Sequence, residues 1–525
     1  MTVAATYTVE ADWGRDGTFG HAQSDITAHV SQFAIQTGFA RAYEDVAPPA
    51  RITLILDNSA GVFSPENAAS ALYGLIRPRV LIRVTADYGL DSGVLFLGGL
   101  SELQVAPGAL GERTAMLIAE DPMLQLLDAE YNPPFTENVR IDEALTALFE
   151  APTVIYPYAH NYWILDYSAL EDFALYENTI TAFEAANTTL AFVGDNAERS
   201  GVGLSAQGFV RDMVAAEAGG KFYWDVTQGA FVFWNRQHFI NSYSTPITFT
   251  PAEITYGRYL YAEDVANKHT VYFEPRAIGA AGTVLWEQGS AASIPAGETR
   301  EYNARYRDVT VPNASVGAKD CILPVANTDY TANSADDGSG DDKTAQIVVW
   351  AEFGATAARI VVQNPTNERV YLTSLQVRGT PITTYQREFV TAILPASIAE
   401  NGLIERTVDV PALDDRDFAQ TYADALSNRF GNRAGRFEEV TFMANDSASK
   451  MSDAITEGIG ATISLADTHL SNDETEYVVI GTRHEVRADS TQHTVTWVLE
   501  PLQRARYWVL EDADLGVLGD VRLFF

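Results

Sequence analysis

The chain has 525 residues, 46% of them hydrophobic, which is enough for about three or four packed domains. Its 70 acidic and 35 basic residues give a formal net charge of −35 at pH 7. Such a surface repels phosphate, which excludes a protein that grips DNA or RNA by the backbone. A channel through which DNA slides without sticking has the opposite requirement and is compatible with this charge. An acidic, salt-adapted proteome would give the same composition.

Targeting signals are not visible in the sequence. Charged residues interrupt every apolar run well before the length of about 18 residues that crosses a bilayer. The N-terminus, MTVAATYTVEADW, lacks the basic head and apolar stretch of a signal peptide. We therefore expect a soluble protein that is made in a cytoplasm. The single cysteine, Cys321, excludes an internal disulfide, and its apolar neighbours favour a core position over a nucleophile.

The first predicted strand, YTVEADW, runs into the loop GRDGTFG. Apolar residues alternate along the strand, which is typical of a half-buried strand, and Asp-Gly is a hairpin signal. An EF-hand calcium loop would use Asp12, Asp16 and Gly17, but its third and twelfth positions are Gly14 and Gln23. Neither of these supplies a charged ligand. The hairpin is favoured, and a reduced cation site at Asp12 and Asp16 stays open.

The first half of the chain divides into two predicted regions. Residues 1–125 contain the strands RITLILDN, RVLIRVTADYG and GVLFLGGLSELQVAPG, separated by turn residues, and predict a β-barrel-like domain. Residues 126–245 predict an α+β domain with two amphipathic helices, in NVRIDEALTALFEA and in SAQGFVRDMVAAEAGG. Ser205 is expected to cap the second helix. The aromatic segment GKFYWDVTQGAFVFWNR predicts a hairpin.

The second half predicts a split domain around an insertion. Residues 246–280 together with 386–510 predict a second β-barrel-like domain, with a helix in DDRDFAQTYADALSNRFGNR and a terminal meander. Residues 281–385 predict an inserted β-sandwich-like domain, and 511–525 a C-terminal tail. The fold class predicted from the sequence is thus mainly β with α+β parts, in a multi-domain chain.

Several clusters are candidates for chemistry. A glycosidase needs two carboxylates about 5 to 10 Å apart across a sugar-binding cleft. The segment DYSALEDFALYEN offers Asp166, Glu171, Asp172 and Glu177, although carboxylates mixed with tyrosines are also ordinary surface. The histidines show no metal-ligand spacing. His484 and His493 are expected to face each other across the last hairpin as a solvated pair.

Three further clusters have two interpretations each. The acidic stretch NTDYTANSADDGSGDDKTA is interpreted as a solvated loop, with a cation site as the alternative. Its carboxylates are Asp336, Asp337, Asp341 and Asp342. The arginines near residue 80 and after the late helix either pair with carboxylates at an interface or solubilise the surface. They are Arg77, Arg79, Arg83, Arg429, Arg433 and Arg436.

The N-terminal region resembles the first domain of phage tail-tip and baseplate-hub proteins. The matching passages are a strand ending in Leu-Asp-Asn, a Phe-Ser-Pro-Glu-Asn turn, a Leu-Tyr-Gly and Arg-Pro passage and a Leu-Phe-Xaa-Gly strand. DWGRDGTF resembles the start of that family, and GATISLAD, EYVVIGTRHEV and HTVTWVLEP resemble its last barrel. NERVYLTSLQVRGTPI is similar to a domain inserted in some tail proteins. The four passages are Leu56 to Asn58, Phe63 to Asn67, Leu72 to Pro78 and Leu95 to Gly98.

The resemblance implies a structural, non-enzymatic minor tail protein of the virion, assembled in the host cytoplasm. It implies two hub domains per subunit, and a homotrimer whose pseudo-sixfold ring joins the tail tube to the tip. The implied partners are tail-tube or distal tail proteins and tip or fibre proteins, and DNA would pass through without specific binding. No catalytic residue, metal ligand or cofactor is carried over. Two alternatives are a polysaccharide-degrading tail enzyme and a carbohydrate or receptor binder that exposes Tyr302, Tyr306 and Trp350.

Overall fold

The computed structural model describes residues 3–89, 91–106, 113–131, 133, 135–150, 181–194, 204–241, 246–261, 265–307, 316–431, 435–465, 475–487 and 492–502. Across these ranges the protein is mainly β, with helices packed against several sheets. This confirms the fold class predicted from composition and periodicity. The boundaries assigned to the individual domains stay predictions.

The described residues of the N-terminal part form six strands, and strands such as β3 follow the predicted apolar alternation. In the third strand, for example, every second side chain is buried, because only one face of the strand contacts the core. The strands are β1 Thr6–Ala11, β2 Val30–Gly38, β3 Arg51–Asp57, β4 Leu81–Tyr88, β5 Asp91–Val105 and β6 Thr114–Glu120. A short 3-10 helix, Thr27–His29, precedes β2.

Both predicted helices of the α+β part are present. The Ser205 hydroxyl accepts the Gly208 N–H at 3.0 Å and caps the second one, as expected from the sequence. The aromatic segment forms the predicted hairpin, β12 with β13. The elements are α1 Met123–Asp128, β7 Glu130–Tyr131, β8 Thr136–Arg140, α2 Ile141–Glu150, β9 Thr181–Phe183, β10 Thr189–Val193, β11 Leu204–Ser205, α3 Ala206–Ala216, β12 Lys221–Asp225, β13 Ala230–Trp234 and α4 His238–Asn241.

The insertion folds as two sheets that share one buried core, as expected for a β sandwich. One sheet is organised around the long strand β25, and the other has the order β20-β24-β23. The strands are β17 Arg276–Ile278, β18 Thr283–Glu287, β19 Ala292–Ile294, β20 Thr299–Arg305, β21 Gly317–Ile322, β22 Tyr330–Asn333, β23 Val348–Phe353, β24 Ala357–Gln363 and β25 Val370–Thr384.

The segments on either side of the insertion supply the remaining strands and three helices. The late helix is present as predicted, and the Asp415 carboxylate accepts two N–H groups at its start. The helices α5 and α7 were not predicted. The elements are β14 Ile247–Phe249, β15 Tyr256–Tyr261, β16 Lys268–Phe273, β26 Glu388–Ile393, α5 Pro395–Asn401, β27 Glu405–Asp409, α6 Arg416–Phe430, β28 Gly435–Met443, α7 Ala448–Thr456, β29 Thr462–Leu465, β30 Thr475–Arg487 and β31 His493–Pro501. Three further 3-10 turns are Pro251–Glu253, Thr344–Gln346 and Ala444–Asp446.

One sheet of twelve strands joins the two ends of the chain. Its main path has the order β1-β4-β5-β6-β3-β2-β30-β31-β28-β15, and β29 and β14 branch from β30. The central contact is the antiparallel pairing of β2 with β30, from Gln32 opposite Arg487 to Gly38 opposite Gly481. The two regions that resemble hub domains are therefore parts of one hydrogen-bonded sheet. Their buried side chains, such as Phe33 and Trp497, belong to one core.

A second core connects the α+β part to the sheet of β26, β16 and β27. Its buried residues come from α2, α3 and the β12–β13 hairpin, and also from β16, β26 and α6. Phe222 and Phe231 stack within it at 6.0 Å between ring centroids. The α+β part is thus packed against the last region of the chain through buried apolar surface, which is the dominant favourable term in folding.

Candidate functional site

The contact between β2 and β30 is built around a pair of glycines. Gly38 lies directly opposite Gly481 in the strand register. A Cβ on Gly481 would collide with the backbone carbonyl oxygen of Phe39, and Gly38 has a φ of +75°, which disfavours other residues. The close approach of the two backbones at this point explains why glycine occupies both positions.

A buried group of charges lies beside this contact. Glu500, at the end of β31, accepts hydrogen bonds from Lys221 Nζ at 3.0 Å and from Arg429 Nη2 at 2.8 Å. The backbone N–H of Tyr43 donates to the same carboxylate at 2.8 Å. Lys221 also donates to the backbone carbonyl of Glu44 at 2.6 Å. The group therefore links the loop after β2 to strand β12, helix α6 and strand β31.

The charge state of Glu500 follows from its partners. Burial alone would raise the pKa of Glu500, but the two cations and the hydrogen bonds outweigh it and hold the pKa at about 2. The carboxylate therefore stays ionised, and its negative charge is compensated by Lys221 and Arg429. A compensated buried ion group fixes the relative position of the segments that carry it, since the loss of either partner leaves a buried charge.

The two histidines of the last hairpin do contact each other, as predicted. His484 Nδ1 and His493 Nε2 are hydrogen-bonded at 3.0 Å, and His493 Nδ1 is hydrogen-bonded to the Tyr7 hydroxyl at 2.8 Å. The prediction that the pair is solvated is wrong, because both side chains are buried. Burial lowers the pKa of His484 to about 4 and that of His493 to about 2. The chain His484–His493–Tyr7 ties β30 and β31 to the edge strand β1.

Two of the passages that resemble hub motifs, Leu56 to Asn58 and Phe63 to Asn67, meet in one organised loop after β3. The Asn58 Oδ1 atom accepts the Phe63 N–H at 2.8 Å, and its Nδ2 group donates to Ser64 Oγ at 3.1 Å. Asn67 Nδ2 closes the turn by donating to the Gly61 carbonyl at 2.9 Å. Phe63 itself is fully buried, with its ring edge-on to a neighbouring histidine ring. The motif thus specifies a structural loop and carries no reactive group.

The loop after β1 folds around Asp12. Its Oδ2 atom accepts the Gly17 N–H at 2.8 Å, while Asp16 Oδ1 accepts the N–H and hydroxyl of Thr18. Burial raises the pKa of Asp12, and the hydrogen bonds of Thr18 lower the pKa of Asp16. The chain reverses direction in this loop, and Glu10 forms an isolated antiparallel β-bridge with Asp25. The loop between them is longer than that of a tight Asp-Gly hairpin.

The acidic stretch of the insertion uses its carboxylates in local turns. Asp337 accepts the N–H and hydroxyl of Ser339, and Asp342 accepts the Thr344 N–H at 2.9 Å. These hydrogen bonds lower the pKa of both aspartates. In the part of the chain that the structure describes, no group of three or more His, Cys, Asp or Glu side chains is arranged to hold a metal ion.

The nearby thiol is not activated. Cys321 is half-buried and donates to the Tyr306 hydroxyl at 3.5 Å. Burial raises its pKa, which disfavours the thiolate form that acts as a nucleophile. Cys321 packs against the core of the insertion, close to the core position expected from the sequence.

The surface proposed for sugar or receptor binding is not formed by the predicted aromatics. Tyr306 is fully buried, and burial raises its pKa. Tyr302 is half-buried and packs against the core beside Trp286. Trp350 alone of the three is exposed, at 40%, with the Arg359 guanidinium 5.7 Å from its ring centroid. Tyr302 on β20 and Tyr306 just after it both pack towards the core of the insertion, so this hypothesis is wrong for them.

The carboxylates of the enzymatic alternative, Asp166, Glu171, Asp172 and Glu177, lie outside the described residues, as does Arg433.

Two of the other predicted arginines make ion pairs inside the chain. Arg83 donates to Glu10 Oε2 from Nη2 at 2.8 Å, and Arg429 donates to Glu500. Sequence reasoning missed Lys221 and Glu500 as partners, since 279 residues separate them. Among the described helices, none is long and apolar enough to cross a membrane.

Comparison with known proteins shows a similarity to phage tail proteins. No protein-family model matches the sequence, and neither does any curated protein. A tail protein from Neisseria meningitidis MC58 is similar over 94% of this chain and 96% of its own, at 10% identity and a TM-score of 0.47. The 43 kDa tail protein of prophage MuSo2 from Shewanella oneidensis is similar over 94% of this chain and 98% of its own, at 9% identity and a TM-score of 0.46.

A third similar structure is the prophage tail protein gp18 from Listeria monocytogenes EGD-e. It covers 94% of both chains at 7% identity and a TM-score of 0.40. All three similar structures are tail proteins. At identities of 10% or less, such a similarity does not by itself establish what this chain does.

Proposed function

We propose that this chain is a structural component of a phage or phage-like tail, and that it forms the hub ring between the tail tube and the tip. The observation that carries the proposal is the N-terminal motif run and the loop that it builds around Asn58 and Phe63. The Asn58 and Asn67 side chains of this motif run hydrogen-bond to neighbouring residues within a single loop, as expected of a motif that specifies a local fold.

The charge of the chain supports a role in genome ejection. With a formal charge of −35, a ring of copies would repel a DNA backbone and so let it pass without sticking. The joined sheet and the buried Glu500 group connect the N-terminal strands to the strands of the last described region, which suits a structural component. The expected neighbours are tail-tube or distal tail proteins on one side and tip or fibre proteins on the other.

Two measurements test this proposal. Native mass spectrometry of the purified chain should give three copies of the 57.3 kDa subunit. Cryo-electron microscopy of particles should place the chain at the junction of tube and tip. A monomer at high protein concentration would contradict the trimer, and a location on the capsid or on peripheral fibres alone would contradict the hub role.

A further inference from the structure

Two carboxylates meet beside Gly14 in the loop that follows β1. The Asp12 side chain is fully buried, whereas Asp16 is exposed. A Cβ atom on Gly14 would lie 3.4 Å from Asp16 Oδ2 and 3.6 Å from Asp12 Oδ1. The two oxygens, one from each aspartate, therefore face the same small space, and glycine keeps that space free of a side chain of its own.

The Asp12 oxygen that faces this space lacks a hydrogen-bond donor. Asp12 Oδ2 accepts the Gly17 N–H at 2.8 Å, but Oδ1 is buried and has no hydrogen-bond partner within the described residues. Asp16 uses its Oδ1 atom to accept the N–H and the hydroxyl of Thr18, at 3.0 and 2.7 Å. A buried carboxylate oxygen without a donor is costly, because the hydration that it loses is not replaced. The loop thus presents a buried acceptor atom that needs a partner.

The two aspartates also disfavour each other's charge. Burial raises the pKa of Asp12, and the negative charge of Asp16 raises it further. In the part of the chain that the structure describes, neither aspartate forms an ion pair with a basic side chain. Two carboxylates that share a site disfavour each other's ionised form unless a positive charge compensates them. The space beside Gly14 therefore needs either a shared proton or a cation.

We propose that this loop binds one calcium ion between Asp12 Oδ1 and Asp16 Oδ2. Carboxylate oxygens are ligands that calcium prefers, and the ion accepts about six to eight oxygens in a flexible geometry. The two carboxylates neutralise its charge, and backbone oxygens and water complete the coordination shell. This inference does not depend on the proposed function.

The composition of the site sets its selectivity and strength. Magnesium fits less well than calcium, because it demands a near-ideal octahedral geometry and gives up its water reluctantly. With only two charged ligands the affinity is low, and the dissociation constant is on the order of 0.1–1 mM, as in the weaker protein calcium sites.

The test uses terbium, which replaces calcium at protein sites and emits light when a nearby tryptophan is excited. Trp13 adjoins Asp12 in the sequence, and its buried indole N–H donates to the Gln23 carbonyl at 2.8 Å. Terbium is added to the full chain at constant ionic strength, and calcium chloride is then titrated in. Calcium should displace the terbium signal of the wild type, and magnesium at the same concentration should displace much less of it.

Three variants assign the signal to the loop. Asp12→Asn and Asp16→Asn each remove one ligand charge and keep the shape of the side chain, so each should weaken calcium binding by at least about tenfold. Asp57→Asn is the matched control, because Asp57 is exposed and accepts the N–H and hydroxyl of Ser59, as Asp16 does with Thr18. It should bind calcium like the wild type. Thermal unfolding checks the fold of each variant, and the exposed Asp16→Asn keeps the test valid if Asp12→Asn unfolds.

Three results would overturn the proposal. They are no displacement of terbium by calcium up to about 10 mM, equal calcium binding by the wild type and both loop variants, and equal displacement by magnesium and calcium. The first result would assign the space beside Gly14 to a shared proton. Weaker calcium binding by the two loop variants, with the control unchanged, would support a calcium site.

Discussion

Lys221 on β12 and Glu500 on β31 form a buried ion pair at 3.0 Å across 279 residues of sequence. Their side chains are only 5% and 8% exposed. Because Arg429 also donates to Glu500, one carboxylate connects the α+β part, helix α6 and the end of the terminal meander. This group is therefore a buried polar connection between segments that are far apart in the sequence.

Replacing Glu500 by Gln should destabilise the protein by about 3–5 kcal/mol, because it removes the carboxylate that is hydrogen-bonded to both Lys221 and Arg429 in a buried place. Glu301→Gln is the control, since Glu301 pairs with Arg359 at an exposed site and should cost less than about 1 kcal/mol. Chemical denaturation measures both free energies of unfolding. Equal, small losses would show that the Glu500 group contributes little.

The buried histidines should make stability depend on pH. An unfolded histidine has a pKa of 6.5, and burial lowers the folded value to about 4 for His484 and about 2 for His493. The unfolded state therefore takes up protons first as pH falls below 6.5, and stability is lost by at most about 1.4 kcal/mol per pH unit for each histidine. In His484→Gln the loss between pH 6.5 and 4 should be smaller.

The comparison is a series of denaturation curves from pH 7 to pH 4, with the exposed His21→Gln as control. Glu500 affects only the acidic end of this pH range, and it does so equally in the wild type and in both histidine variants. Its folded pKa of about 2 lies below the usual glutamate value of 4.5, so its contribution is lost only as pH falls below about 4.5. An identical pH slope in wild type and His484→Gln would contradict the role assigned to His484.

The stability of the motif loop should depend on the Asn58 side chain. Its side chain makes two hydrogen bonds and is 3% exposed, so Asn58→Ala leaves the buried N–H of Phe63 without its acceptor. We expect a loss of about 1–3 kcal/mol in the free energy of unfolding. Asn303→Ala, at an exposed position of β20, should change stability by less than about 0.5 kcal/mol. The same small change for both variants would argue against a structured motif loop.

The glycine pair at the centre of the joined sheet gives a further test. A methyl group at Gly481 would collide with the Phe39 carbonyl, so Gly481→Ala should destabilise the protein by about 1–3 kcal/mol. Gly458→Ala is the control, because nothing lies within 4 Å of the added Cβ. Thermal unfolding separates the two variants. If both variants unfold at the wild-type temperature, the two strands can move apart enough to accommodate a methyl group at Gly481.

The sequence by itself determined the local elements. Apolar spacing predicted α2, α3 and α6, and alternation predicted strands such as β3 and β4, because the 3.6-residue and two-residue periods are properties of the backbone. It also indicated the contact between His484 and His493, since a short hairpin fixes which residues face each other. The short helices α5 and α7 were not predicted, because a helix of so few residues gives only a weak periodic pattern of apolar residues.

The tertiary structure alone decided which distant segments meet. Alternation shows which face of β2 or β30 is buried, but not that the two strands pair with each other, since many strands share the same period. In the same way, seventy carboxylates give no reason to choose Glu500 as the partner of Lys221. Only packing selects that pair, because a buried charge is tolerated where its partners are brought to it from other parts of the chain.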